Sequence, residues 1–312
     1  MNSLAETFAI PLPKIPYPII DITDPGKDLD DEQKFVLLSG LQRAGIVDIA
    51  AIITNLEPPL ERARLAKGTF TALGLGNIPI GVGTDCFKGG HNPKHETDVP
   101  YLASAAEVHP DGHRLLVDTL GASDDASVIL TLNSGLTDAA DLVKREPTLM
   151  KNKVRNVTIM GGVQHDASGN PLLVDGFLVP DDAANNAFDQ SAAEYLYRAL
   201  QELGIPLTVI MRSACYHAQF PIRLYDRFAQ TGHPVGISLQ NRQKSSIQQL
   251  WQAALAPAGS PVRGKLPLSR NRAWFVQVFC SGTDPGIGYD EEIWPYVGTY
   301  NQYDPMAIMA AI

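Results

Sequence analysis

The chain is poor in cysteine. Its three cysteines, Cys86, Cys215 and Cys280, are far apart, odd in number and form no CxxC pair. That pattern provides neither a disulfide framework nor a cysteine zinc site. It is the usage expected of free thiols in a reducing compartment, so the expected location is the cytoplasm. Basic residues are also in deficit. Lys and Arg total 25 against 34 Asp and Glu, a formal net charge of -9. A nucleic-acid-binding face needs a basic stripe, so nucleic acid is not expected as a partner. No apolar run approaches the roughly 20 residues of a membrane helix. The first residues, MNSLAETFAIPLPKIPYPI, lack the basic start and apolar core of a secretory signal. Neither an internal repeat nor a low-complexity linker is present. What remains is an acidic globular chain of 312 residues, 45% hydrophobic and 19% charged, with no function named by composition.

Short β-branched runs alternate with helical stretches. Tyr17–Thr23 (YPIIDIT) reads as a buried strand, followed by a helix that Asp30 or Asp31 caps and Gly45 ends. Residues 46–54 and 78–82 are the next strands, with a helix over 58–73 between them that has Pro near its first turn. Strands over 127–132 and 154–160 flank a helix over 137–145, and a strand over 207–211 follows a helix over 191–203. Repeated strand–helix–strand units predict an α/β fold: one domain over 1–312, a mostly parallel open sheet with helices on both faces. Loops at 83–100, 161–181 and 256–303 are long for such connections and are expected to border a pocket. In open parallel sheets ligands bind beyond the carboxyl ends of the strands, so the residues just after each strand carry the functional question.

The densest signal there is DITDPGKDLDDE at 21–32, with five aspartates and a glutamate in twelve positions. Burying so many like charges is costly without a cation. Carboxylates without His or Cys suit a hard, oxygen-preferring ion such as Ca2+ or Mg2+. Pro25-Gly26 makes a turn that brings Asp24 back toward Asp28, Asp30 or Asp31. A solvated acidic loop running into an acidic helix N-terminus is the plainer alternative. An EF-hand is excluded, because no register supplies both its Gly and its Glu.

This segment resembles the N-terminal signature of the inosine-uridine-preferring nucleoside hydrolases, DxDPGxDD, with one extra residue between the first aspartates and two before the last pair. Asp28 therefore competes with Asp30 for the fourth aspartate, and Asp30-Asp31 is favoured because it abuts the helix. Further fragments follow in the family's order: Thr54-Asn55, NSGLTDAADLVKREP at 133–147, MGG at 160–162, NNAFDQSAA at 185–193 and YDPMA at 303–307. The resemblance implies a nucleoside-hydrolase-like fold and a homodimer or homotetramer. It also implies a Ca2+-dependent N-ribohydrolase that cleaves nucleoside-like small molecules with a metal-bound water. Carried over, the Ca2+ ligands are Asp24, Asp31, the Asn133 carbonyl and Asp304. Asp24 is also the general base, and Asp30, Asn55 and Asn185 hold the sugar hydroxyls. Asn55 and Asn185 equally suit loop capping. Tyr303 stands where many members carry His, and a phenol with a pKa near 10 is a poorer acid for the leaving base. His91 or His95 is an alternative source of that proton.

Trp274, Trp294, Tyr296 and Tyr300 cluster late in the chain and suit either base stacking or core packing. Arg212, just after a strand, suits either a salt bridge or a substrate anion. Two rival functions stay open. One is hydrolysis of another N-riboside or a nucleotide, with Arg212 or Lys27 as the anion site. The other is a non-catalytic binder that keeps the pocket.

Overall fold

A computed structural model describes residues 16–26, 28–86 and 97–312. The expected parallel sheet is present. Its strands are β1 (Tyr17–Thr23), β2 (Val47–Thr54), β3 (Ile80–Val82), β4 (Val128–Leu132), β5 (Val154–Gly161) and, after a small hairpin of β6 (Leu173–Val174) and β7 (Phe177–Leu178), β8 (Leu207–Met211). The six run parallel in the order β3-β2-β1-β4-β5-β8. The chain moves one way from β1 through β2 and β3 and the other way from β4 onward. The switch point, where open sheets place ligands, is therefore the gap between β1 and β4.

Two hydrophobic clusters lie on the two faces of this sheet. α1 (Asp30–Arg43) and α2 (Pro59–Ala72) cover one face through Phe35, Leu38, Ala63, Ala66 and Phe70. α3 (Gly112–Ala122), α4 (Thr137–Arg145) and α5 (Pro147–Lys153) lie against the other. After the single turn α6 (Ala184–Ala187), α7 (Gln190–Leu203) completes that layer with Leu196, Tyr197 and Leu200. Strand alternation assigns the faces. Ile20 and Ile22 enter the second cluster and Ile19 the first, so Asp21 faces α1. Neither Asp30 nor Asp31 caps α1, because its N-cap is Leu29 and both aspartates lie in the first turn. Gly45 does close the helix, with a φ of 71° that glycine adopts readily.

Residues 216–302 form a compact unit of their own, of which the sequence reading assigned only 256–303, as loop. Beyond α8 (Arg212–His217) come α9 (Arg223–Gln230), α10 (Pro234–Leu255) and α11 (Arg272–Phe279), with a two-stranded sheet of β9 (Phe220–Pro221) and β10 (Thr299–Tyr300). Its aromatics pack together. Trp251 meets Phe275 edge-on, Trp274 meets Phe279 edge-on, and Tyr225 contacts Trp294 and Tyr300, so packing accounts for three of the four late aromatics. The last helix, α12 (Asp304–Ala311), belongs to the first unit. It places Ile308 and Ala311 in the cluster with Phe35 and Leu38.

Candidate functional site

The site is built where β1 ends and α1 begins. Asp21 and Thr23 are fully buried at the end of β1, Asp31 is buried in the first turn of α1, and α12 brings Asp304 to them. At the centre is a residue the sequence reading passed over, Lys34, with no exposed surface. Its Nζ lies 3.1 Å from Asp21 Oδ2, 3.3 Å from Asp31 Oδ1 and 3.1 Å from Asp304 Oδ2, and it donates to Thr23 Oγ1 at 2.7 Å. Thr23 Oγ1 in turn donates to Asp31 Oδ1. Burial pulls the Lys34 ammonium down, but the carboxylates of Asp21, Asp304 and Asp31 outweigh it and hold its pKa above the ordinary lysine value. Asp21 Oδ1 accepts from Thr131 Oγ1 and Asn133 Nδ2, each at 2.7 Å, which ties the end of β4 to β1. Asn133 Oδ1 is buried and accepts no hydrogen bond among the described residues.

Around this core Asp24 and Asp30 are half-buried and Asp28 is exposed. Burial, then the charge of Asp31, raises the Asp24 carboxyl well above its ordinary value. Burial, then Asp31 and Asp28, pushes Asp30 up to about 7. Burial, then Asp31, also raises Asp304, against the pull of Lys34. A carboxyl near 7 changes charge in the working pH range, and that is measurable. Since Asp30 is higher in the folded chain than the ordinary value near 3.9, protonation favours folding. That contribution is full below about pH 4 and is lost as pH rises to about 7. Aspartate side-chain carbon NMR is expected to show one carboxyl titrating near 7, and Asp30→Asn to remove it.

The backbone of the turn is held from below. Arg62 of α2 is 1% exposed. It donates from Nη1 to the carbonyls of Asp24 and Pro25 at 2.8 and 2.9 Å, from Nε to Leu56 at 3.2 Å and from Nη2 to Glu57 at 3.0 Å. A second buried network joins the loops after β2, β3 and β4. Asn55 Nδ2 donates to the Gly135 carbonyl and to Asp138 Oδ2, each at 2.8 Å, and Ser134 Oγ donates to Asn55 Oδ1. Thr84 donates to Asp138 through its hydroxyl at 2.8 Å and its amide at 3.0 Å.

Of the expected site residues, Asp30, Asp31 and Asp304 are brought together, with ligand atoms within 4.8 Å of one another. Asp24, expected as a metal ligand, is not one of these three. The Asn55 amide is committed to loop hydrogen bonds, the capping alternative of the sequence reading. Asn185 Nδ2 donates to the Met160 carbonyl at 2.9 Å, at the end of β5. Asn133 meets the cluster through its side chain, bonding Asp21. Tyr303 precedes α12, packs by Met160, Cys215 and Ala307, and its amide donates to Asp30 Oδ2 at 3.3 Å. His91, His95 and Lys27 lie outside the described residues. Arg212 follows β8, is exposed and makes no ion pair among the described residues, so the salt-bridge alternative is not met.

The family resemblance brings an ion to this cluster, and the donor chemistry of three carboxylates suits a hard cation. The arrangement does not, because Lys34 already takes oxygens of Asp31 and Asp304. A divalent ion about 4 Å from an ammonium is repelled by roughly 8 kcal/mol at an effective dielectric constant of 20. As these residues stand, they fit an ammonium and not a Ca2+.

No family model matches the chain. It is 26% identical over 189 residues to an inosine-uridine preferring nucleoside hydrolase of Leishmania major, a stretch covering 57% of this chain and only 58% of that relative's length. A crystal structure of the type III effector protein XopQ complexed with adenosine diphosphate ribose is 32% identical. The match covers 96% of this chain and 82% of XopQ, with a TM-score of 0.82. A plant nucleoside hydrolase structure, 16% identical with a TM-score of 0.58 over 95% of this chain and 78% of its own, shares the fold. The chain belongs to the nucleoside hydrolase family. Nucleoside hydrolases use metal ions, which makes the position of Lys34 in this member notable. Among the described residues no helix is long and apolar enough to cross a membrane.

Proposed function

We propose that the protein hydrolyses the N-glycosidic bond of a ribosyl compound, releasing ribose and a free base. The observation that carries this reading is the pair of half-buried, raised carboxyls, Asp24 and Asp30, beside the buried Asp21–Asp31–Asp304–Lys34 cluster at the sheet's switch point. Asp24 accepts a proton from the attacking water, and burial, which raises its carboxyl above the ordinary value, makes it a stronger base than a solvated aspartate. The water oxygen bonds the anomeric carbon as the bond from that carbon to the base nitrogen breaks. The base leaves with the electron pair and takes a proton from solvent or from Tyr303. Asp30 and Asn185 hold sugar hydroxyls and fix the pose. The Ca2+ of the resemblance would have to share Asp31 and Asp304 with Lys34.

Tyr303 is a weak acid, and its replacement is expected to matter modestly. Tyr303→Phe should lower ribose release by no more than about 100-fold, the loss of one hydrogen bond. A p-nitrophenyl riboside should be cleaved faster than nucleosides. A far larger loss with nucleosides and none with the activated riboside would make Tyr303 the acid.

A second reading is favoured by one finding. XopQ was solved with adenosine diphosphate ribose, and Arg212, exposed at the end of β8 and without an ion pair among the described residues, suits a diphosphate. On that reading the ligand is a ribosyl nucleotide, bound with or without cleavage. Reducing-sugar release from nucleosides, nucleotides and adenosine diphosphate ribose, alongside calorimetric binding of each, separates the two. Release from nucleosides supports hydrolysis, whereas binding without release supports a binder. A homodimer or homotetramer in the cytoplasm completes the proposal, and sedimentation tests the assembly.

A further inference from the structure

Four oxygens surround Lys34 Nζ: Asp21 Oδ2, Thr23 Oγ1, Asp31 Oδ1 and Asp304 Oδ2, at 2.7–3.3 Å. They come from β1, α1 and α12, three separate elements. An ammonium has three protons to donate and no lone pair: Thr23 Oγ1, Asp31 Oδ1 and Asp304 Oδ2 accept them, and Asp21 Oδ2 meets its charge without a hydrogen bond. The same shell, contracted to about 2.3–2.6 Å, is what a hard divalent ion takes. The lysine sits deep in the protein with no exposed surface. It is not a surface side chain that an incoming ion could displace into water. Leaving the shell would strand a charge in the interior. The neighbouring residues also fit a fixed cation. Asp21 Oδ1 is oriented by Thr131 and Asn133, and Asp31 by Thr23, so the carboxylates are held in place around the nitrogen.

We propose that Lys34 is the resident cation of this site: its ammonium stands in for a divalent ion on Asp21, Asp31 and Asp304, the wild-type protein has no divalent-ion requirement there, and removing the lysine opens an ion site on the same oxygens. The ammonium supplies one positive charge among the three carboxylates and fixes them in place, but it supplies no bound water. The attacking water in the proposed hydrolysis must then be activated by carboxylate alone. The inference concerns the ion and holds whichever ribosyl compound binds.

The test measures ion binding without substrate, so its result stands apart from the activity. Chelator-treated wild type, Lys34→Ala and Lys34→Gln are titrated with Ca2+ by calorimetry and with Tb3+ by luminescence, and their unfolding temperatures are followed with and without Ca2+. The wild type is expected to bind no Ca2+ up to millimolar concentration and to unfold at the same temperature in chelator. At least one variant is expected to bind one ion per chain, at least about 100-fold more tightly than wild type, and to be stabilised by it. Stoichiometric binding by the wild type overturns the proposal. So does a folded variant pair that binds no ion. If neither variant folds, the wild-type titration decides alone: binding overturns the proposal and its absence supports it.

Discussion

Asp24→Asn is expected to abolish most ribose release, by about 100- to 10,000-fold, while making the protein more stable at neutral and alkaline pH. The activity loss is that of a general base. The stability gain follows from the sign of its shift. Burial and Asp31 hold the folded pKa of Asp24 well above the unfolded value. Protonation therefore favours folding, and this contribution is full at low pH and lost as pH rises through the folded pKa. Asparagine never ionises, so it removes that loss. The variant should unfold at a higher temperature than wild type at pH 8 and at nearly the same temperature at pH 4. Equal stability at both pH values, or retained turnover, would remove Asp24 from its assigned role.

Arg62→Met is expected to cost about 3–5 kcal/mol, because it strands buried carbonyls and a guanidinium pocket at once. Arg62 bonds the carbonyls of Asp24, Pro25, Leu56 and Glu57 from a nearly inaccessible position. At roughly 2–4 °C per kcal/mol for a larger domain, the unfolding temperature should fall by about 10 °C. Scanning calorimetry checks this. A fall of only a degree or two would mean that water replaces the arginine and that the turn is not held by it.

The first unit was largely legible in the sequence. β1, β8 and α4 coincide with the expected spans, because short β-branched runs and a well-spaced amphipathic helix leave little ambiguity. Sheet polarity followed from the alternation, and with it the location of the site. The second unit was not legible. In α10 the buried residues Val235, Leu239, Ile247 and Trp251 are spread among glutamines, serines and a lysine, so the apolar stripe is thin. Within the site, aspartates announced themselves by density, whereas Lys34 and Arg62 did not. A single basic residue in a helix ordinarily faces water. The available clue was spacing: Lys34 stands three residues after Asp31 and four before Leu38, on the stripe that α1 buries. Its partner Asp304 lies 270 positions away, and no local pattern reports a contact of that span. Asn55 showed the opposite failure. Its position after β2 was read correctly, but its partners, Gly135 and Asp138, come from the loop after β4 and the first turn of α4.

The 270-residue separation of Lys34 from Asp304 also orders events during folding. The sheet, α1 and α2 come from the first part of the chain, yet α12 joins their core only after residues 216–302 have been traversed. Contacts so distant along the chain form late, since the intervening segment must first be closed into a loop. Until α12 docks, Lys34 has Asp21 and Asp31 without their third carboxylate, and the face of α1 that receives Ile308 is bare. Assembly of the charged centre and completion of that hydrophobic face are thus one step, so a chain that has not finished folding does not carry a finished site.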